Sequence, residues 1–151
     1  MSINWKKREM DGFRNEEHFY EDIKEIFSDW KDIQRNTNQY DLFDFTCDDA
    51  VWELKGRNIP YGRYDTALLG FNKVDSGFKL LEQGKQVFFL WSYTNGLYMW
   101  ELTKENFNKI GGEQMITGAG CNKKWGTNLK TLEVPIKYLT QISSKGTFCV
   151  K

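Results

Sequence analysis

A chain of 151 residues with no net charge, 16% aromatic and 28% charged side chains is too rich in aromatics to stay disordered, and long enough to bury about two thirds of its unfolded surface in one core. Neutrality excludes a whole-chain electrostatic trap for nucleic acid, and no run approaches the ~20 apolar residues of a membrane span. His18 is the single histidine, and Cys47, Cys121 and Cys149 follow no metal-ligand spacing, so any catalysis must rest on carboxylates and lysines.

In chain order, MSINWKKREMDGFRNEE carries basic residues without an apolar h-region, so no secretory leader is expected. From Asn15 the pattern reads as a helix. Asn15 suits the N-cap, Glu16 and Glu17 suit the positive end of the dipole, and Phe19, Ile23, Ile26, Phe27 and Trp30 recur at helical spacing. QYDLFDF and AVWELKGR then form short aromatic and branched runs about the turn signal CDD, which predicts a β-hairpin. TALLGFNKVDSGFKLLEQG predicts a second helix, capped by Asp65 or Thr66, with Ala67, Phe71, Val74, Phe78 and Leu81 on one face and Gly84 at its end.

QVFFLWSY and LYMWEL flank Asn95-Gly96, a strong hairpin signal that sets Trp91 and Trp100, with Tyr93 and Tyr98, across from one another. Strand, helix, strand in this order implies a crossover, so the strands ending near Arg57 and beginning near Gln86 are expected to be parallel. Thr103 opens a short helix through Ile110, GAGCNKKWGTN reads as a loop, and LKTLEVPIKYL combines a strand, an extended Pro135 and a terminal turn. With no repeat, low-complexity tract or proline-rich linker, residues 1–151 are read as one domain of α/β class in the order αββαββ.

Charge is uneven along this domain. Residues 16–32 hold seven acids against Lys24 and Lys31, whereas residues 55–79 carry Lys55, Arg57, Arg63, Lys73 and Lys79 against Asp65 and Asp75. Solvated faces account for most such patches.

The stretch FDFTCDDAVWELKGRN puts Asp44, Glu53 and Lys55 among residues that otherwise read as core. A turn centred on Asp48-Asp49, or a four-residue loop from Cys47 to Ala50, pairs Thr46 with Val51, Phe45 with Trp52 and Asp44 with Glu53. Alternation then places Glu53, Lys55 and Asp44 on one face and Trp52, Leu54, Phe43 and Phe45 on the other. A three-residue loop would slip the register by one and set Phe45 opposite Glu53.

Facing carboxylates repel. A divalent cation between their oxygens offsets this, polarises a phosphoryl oxygen and acidifies a bound water, and an adjacent ammonium can position that water. This is equipment for hydrolysing a phosphodiester. Alone, an E-x-K triplet is expected by chance about once in a couple of chains this long, and a surface salt bridge on a solvated strand is the plain alternative. Asp22-Ile23-Lys24 and Asp29-Trp30-Lys31 fall in the predicted helix, where i and i+2 diverge; Glu53-Leu54-Lys55 lies in a strand, where they align.

Asp44, eight intervening residues, then Glu53-Leu54-Lys55, with a helix before and a helix and strand after, resembles the PD-(D/E)XK nuclease superfamily over roughly residues 15–102. Small phage or viral members, resolvase-like or restriction-endonuclease-like, are similar in carrying D-F, E-L-K-x-R and G-x-N-K in that order; here these are Asp44-Phe45, Glu53-Leu54-Lys55-Gly56-Arg57 and Gly70-Phe71-Asn72-Lys73. The Pro of the Pro-Asp pair is absent, since Phe43 precedes Asp44. Asp41, three residues away, would face the opposite side from Glu53.

The resemblance implies a restriction-endonuclease-like αβββαβ core, a mixed central sheet flanked by helices, with a C-terminal β and loop extension over 103–151. It further implies that Asp44, Glu53 and the Leu54 main-chain carbonyl hold Mg²⁺ or Mn²⁺, with Glu16 a further acid from the first helix. Lys55 would assist the attacking water, and DNA, duplex or branched, would be the substrate. Arg57, Lys73, Lys123 and Lys124 are candidate contacts to its backbone. A cytoplasmic protein is implied, in an infected host for a viral member, acting alone or as a homodimer. The competing expectations are a nuclease-fold module that binds nucleic acid or protein without turnover, and a structural subunit of a larger assembly.

Overall fold

The computed structural model describes residues 5–36, 43–110, 115–117 and 130–146. Its elements in chain order are α1 (Trp5–Ile26), β1 (Gln34–Arg35), β2 (Phe45–Thr46), β3 (Ala50–Gly56), β4 (Thr66–Gly70), α2 (Phe71–Glu82), β5 (Gln86–Tyr93), β6 (Gly96–Leu102), α3 (Lys104–Lys109), β7 (Met115–Thr117), β8 (Lys130–Pro135), a 3₁₀ turn (Ile136–Tyr138) and β9 (Thr140–Ser143). The protein is mixed α/β. Six strands form one mixed sheet in the order β1-β2-β3-β5-β6-β9, and β4-β8-β7 form a second. Among the described residues no helix is long and apolar enough to cross a membrane.

β3 is the hinge of this arrangement. It pairs antiparallel with β2 on one side and parallel with β5 on the other, in the register Ala50↔Gln86 to Gly56↔Ser92. As a central strand covered on both faces, it is buried from Ala50 to Leu54. One face of the sheet carries Ala50, Trp52, Leu54, Phe88 and Leu90, and is closed by Phe19 and Ile23 of α1 and by Phe27 just after it. The opposite face carries Val51, Val87, Phe89 and Trp91 and is covered by Val74 of α2 and by Ala67, Leu69, Leu132 and Val134 of the second sheet. Trp52 is fully buried in an aromatic knot, its ring 5.6 Å from Phe88 and 6.0 Å from Trp30, pairs that add about 1 kcal/mol each beyond their area.

Several expected elements move. The first helix begins at Trp5, so Asn15 lies inside it rather than at its N-cap; the good helix formers Lys6, Lys7, Arg8, Glu9 and Met10 extend the helical pattern upstream. It also stops at Ile26, which leaves Asp29-Trp30-Lys31 in the following turn. Residues Thr66 to Gly70 form β4 rather than the start of a helix. Ala67 and Leu69 alternate into the core while all five residues pair with β8, and the helix starts only at Phe71. Its end is as expected: Gly84 follows at φ 84°, donating its N–H to Leu81.

The β5-β6 loop is Thr94-Asn95, not Asn95-Gly96, because Gly96 already pairs with Tyr93. β9 runs past Gly96 so closely that a Cβ there would meet the Gln141 side chain at 2.7 Å. Partners therefore shift by two residues, Trp91 facing Tyr98 and Phe89 facing Trp100, which leaves each ring on its expected face. The expected helix after Thr103 is present, with the Thr103 hydroxyl accepting from Asn106 N–H at 2.9 Å. The expected loop from Gly118 lies outside the described residues.

Candidate functional site

The turn after β2 sets the site. Cys47 N–H donates to the Ala50 carbonyl at 2.9 Å, and Phe45 and Thr46 face Trp52 and Val51. β2 itself ends at Phe45, so Asp44 sits just off the ladder at the point where the same register continues to Glu53. Two further bonds fix it there: Asn36 N–H donates to the Asp44 carbonyl at 2.8 Å, and the Asn36 side chain donates to the Phe43 carbonyl at 2.7 Å. Because the strand has ended, Phe43 does not join Phe45 and Trp52 on the α1 face, as alternation predicted. It turns to the other face and packs 6.1 Å from the Phe89 ring.

The Asp44 carboxylate accepts from Leu54 N–H at 2.8 Å through Oδ2. In a strand the N–H and C=O of one residue point the same way, so the Leu54 carbonyl is directed to this same edge of β3, where β2 no longer pairs. Glu53 and Lys55 share the face opposite Trp52 and Leu54, the first on a floor of buried aromatics and only 5% exposed, the second half-buried.

Three carboxylates converge from three segments. Glu53, on β3, hydrogen-bonds to Asp44, and so does Glu16, which reaches in from α1. Burial is the main cause that pushes Glu53 up to about 8, with the Asp44 charge and hydrogen bond adding to it and Lys55 and Lys73 opposing. Burial first, then the bond to and the charge of Asp44, likewise pushes Glu16 to about 8, against the pull of Arg35. At neutral pH the cluster therefore holds protons that solvent-exposed carboxyls would have released.

Two cations attend it. Lys73, on the first turns of α2, places Nζ 2.9 Å from Glu53 Oε2, and Arg35 Nη2 lies 3.6 Å from Glu16 Oε2. Lys73 also stands 5.8 Å from the centre of the Phe43 ring. The ammonium supplies charge to Glu53 Oε2 without an aligned hydrogen bond, so this buried oxygen keeps an unused acceptor position.

The carboxylates meet pairwise through Asp44, and among the described residues no group of three or more His, Cys, Asp or Glu side chains is already disposed around a metal ion. Their donor set nevertheless suits a hard divalent cation: the Asp44 carboxylate, the Glu53 carboxylate with its unused buried Oε2, and the Leu54 main-chain carbonyl on the edge that Asp44 faces.

Sequence reading assembled Asp44, Glu53 and Lys55 correctly and named Glu16 and Lys73, which the fold brings into the same cluster. Arg57 follows Lys55 on the same face but donates Nη1 to the Gly56 carbonyl at 3.1 Å and lines a separate hollow. Lys123, Lys124 and Asp41 lie outside the described residues. Arg35 and Asn36 were missed, because a two-residue strand leaves no periodic signal. Comparison of the chain with protein-family models, with curated proteins and with solved structures gave no match.

Proposed function

We propose that this protein is a divalent-metal-dependent nuclease that hydrolyses DNA phosphodiester bonds, with a restriction-endonuclease-like core. The observation that carries the reading is the hairpin register, which sets Asp44 beside Glu53 with Lys55 on the same face. The order of elements supports it as well. α1, the antiparallel run β1-β2-β3, then α2 and a β5 parallel to β3 are compatible with an αβββαβ order, apart from β4 before α2. β6 and β9 extend the same sheet, and β4, β7 and β8 make the second.

In this reading Asp44, Glu53 and the Leu54 carbonyl would hold Mg²⁺ or Mn²⁺, which when bound supplies Lewis-acid polarisation and a more acidic water. The chain's own residues do the rest. Asp44, anchored through Leu54 N–H, fixes the position of the carboxylate edge. Glu53 and Glu16, whose pKa values are raised by burial and by Asp44, would have to give up their protons to act as ligands. Lys55, on the strand that carries Glu53, orients the attacking water or meets charge developing on the phosphate. Lys73, whose ammonium lies 2.9 Å from Glu53 Oε2, would be within reach of a phosphate held at these carboxylates.

One observation favours a second reading. Because Lys73 already lies 2.9 Å from Glu53 Oε2, the cluster also makes sense as a structural polar contact in a binding module without turnover. Cleavage assays in Mg²⁺ and in Mn²⁺ separate the two: the nuclease reading expects strand scission lost in Lys55→Ala, and the module reading expects metal-free binding, unchanged by Lys55→Ala, and no scission.

A further inference from the structure

Beyond the carboxylates, the same pair of elements borders a second feature. β3 runs from Glu53 past Lys55 to Gly56 and Arg57, while β4 runs back from Thr66 to Gly70, where α2 begins and Lys73 reaches Glu53. Between the far ends of these two strands lies a hollow of about 340 Å³, lined by Arg57, Ile59, Tyr64, Leu68, Tyr93 and Glu133. Arg57 is two residues beyond Lys55 and four beyond Glu53 on one strand face, so the hollow opens about 13 Å along the strand from the carboxylates and about 7 Å from Lys55. A larger hollow, about 410 Å³ beside Trp100 and Tyr138, lies across β6 and away from the carboxylates.

The outer wall of the first hollow is rigid. The loop from Arg57 to Asp65 is clasped to the β5-β6 turn by Thr94 N–H on the Ile59 carbonyl at 3.0 Å and by Tyr61 N–H on Asn95 Oδ1 at 2.8 Å. It is clasped to the 3₁₀ turn by Ile136 N–H on the Asp65 carbonyl at 2.9 Å and by the Tyr61 hydroxyl on the Ile136 carbonyl at 3.0 Å. The Tyr61 ring stacks on Tyr98 at 4.0 Å. On this fixed loop Tyr64 is turned outward and is 61% exposed. A large ring held out in water on a pinned backbone gains nothing for the fold, but its ordering cost is already met for a ligand.

We infer that this hollow holds one unstacked nucleotide of a single DNA strand that runs along the strand face from the carboxylates past Lys55. Tyr64 supplies a face for the base. Arg57, whose burial lowers the pKa of its guanidinium, carries a partly desolvated positive charge toward a backbone phosphate, and Glu133 accepts from an exocyclic amino group. A base inside a duplex has both faces covered by its neighbours, so only a strand end, flap or unpaired segment can use the ring. The inference deepens the nuclease reading and rests on it for the direction of the strand.

The test is fluorescence anisotropy with the full chain in EDTA, using a labelled single-stranded oligodeoxynucleotide and the same sequence closed as a blunt hairpin duplex. The single strand binds about 10-fold more tightly than the duplex; Tyr64→Ala removes about 10-fold of that affinity and Tyr64→Phe retains it. Tyr64 is exposed, so its loss leaves the fold intact. Equal affinity for strand and duplex, or binding unchanged in Tyr64→Ala, overturns the inference. Metal-dependent duplex cleavage indifferent to Tyr64 overturns the inference and leaves the nuclease reading standing. Tyr64-dependent strand binding without scission in either metal upholds the hollow and overturns the nuclease.

Discussion

Lys73 Nζ lies 2.9 Å from Glu53 Oε2, so a helix side chain supplies the charge opposite a strand carboxylate that is only 5% exposed. Replacing Lys73 with methionine leaves that carboxylate buried with less compensation. Glu53 then keeps its proton to still higher pH, and the cost appears only where it must ionise. Urea denaturation of Lys73→Met is expected to show little change at pH 6 and a loss of about 2 kcal/mol at pH 9. An equal loss at both values would mean that Lys73 acts through packing rather than charge.

The pH dependence of the native protein follows from the same cluster. Glu16 and Glu53 titrate near 4.5 when unfolded and near 8 when folded. Between those values the folded state binds more protons than the unfolded state. The unfolding free energy contributed by this pair is therefore greatest below about pH 4.5 and falls as pH rises to about 8. Glu53→Gln removes one of the two groups, so the difference between variant and native midpoints, followed by tryptophan fluorescence, should grow with pH in the variant's favour. A difference that is flat over this range would show that Glu53 is not held protonated.

Asp44 has two separable tasks. Asparagine preserves an oxygen to accept from Leu54 N–H and removes the charge, whereas alanine removes both. Asp44→Asn is expected to fold within about 1 kcal/mol of the native protein, and Asp44→Ala to lose about 2 kcal/mol because Leu54 N–H is left without its acceptor. Both variants should lose scission. Retained scission in Asp44→Asn would remove Asp44 from the metal site.

A prediction independent of chemistry concerns the seat of α2 on the sheet. A Cβ at Gly77 would meet Leu102 Cδ2 at 2.6 Å and Val87 Cγ1 at 3.2 Å, and both neighbours are fully buried. Gly77→Ala should destabilise by about 1 kcal/mol, the overpacking exceeding the gain in helix propensity. Thermal unfolding that rises instead would place α2 differently on β5 and β6.

The site was more legible than the elements around it, for a physical reason. The turn signal Cys47-Asp48-Asp49 and the alternation through Trp52 leave two registers, of which the structure adopts the one that pairs Phe45 with Trp52, and a register assigns every side chain to a face at once. Thr66 to Gly70 had no such anchor. Ala67, Phe71, Val74, Phe78 and Leu81 fit a helical period, while the strand those first residues form is defined by a partner, β8, more than sixty residues away. Non-local pairing is invisible to a local pattern. The same holds for Arg35, whose place beside Glu16 is set by a two-residue strand, and for Phe43, which lies outside β2 and packs on Phe89 across the sheet face.

The central claim is tested most directly by incubating single-stranded, duplex and branched DNA with native protein and with Glu53→Gln, in Mg²⁺, in Mn²⁺ and in EDTA. The native protein is expected to cut at least one of these substrates only when a divalent ion is present, and Glu53→Gln to cut it at least about 100-fold more slowly while remaining folded. Intact DNA in every metal condition, or scission undiminished in Glu53→Gln, would contradict the assignment.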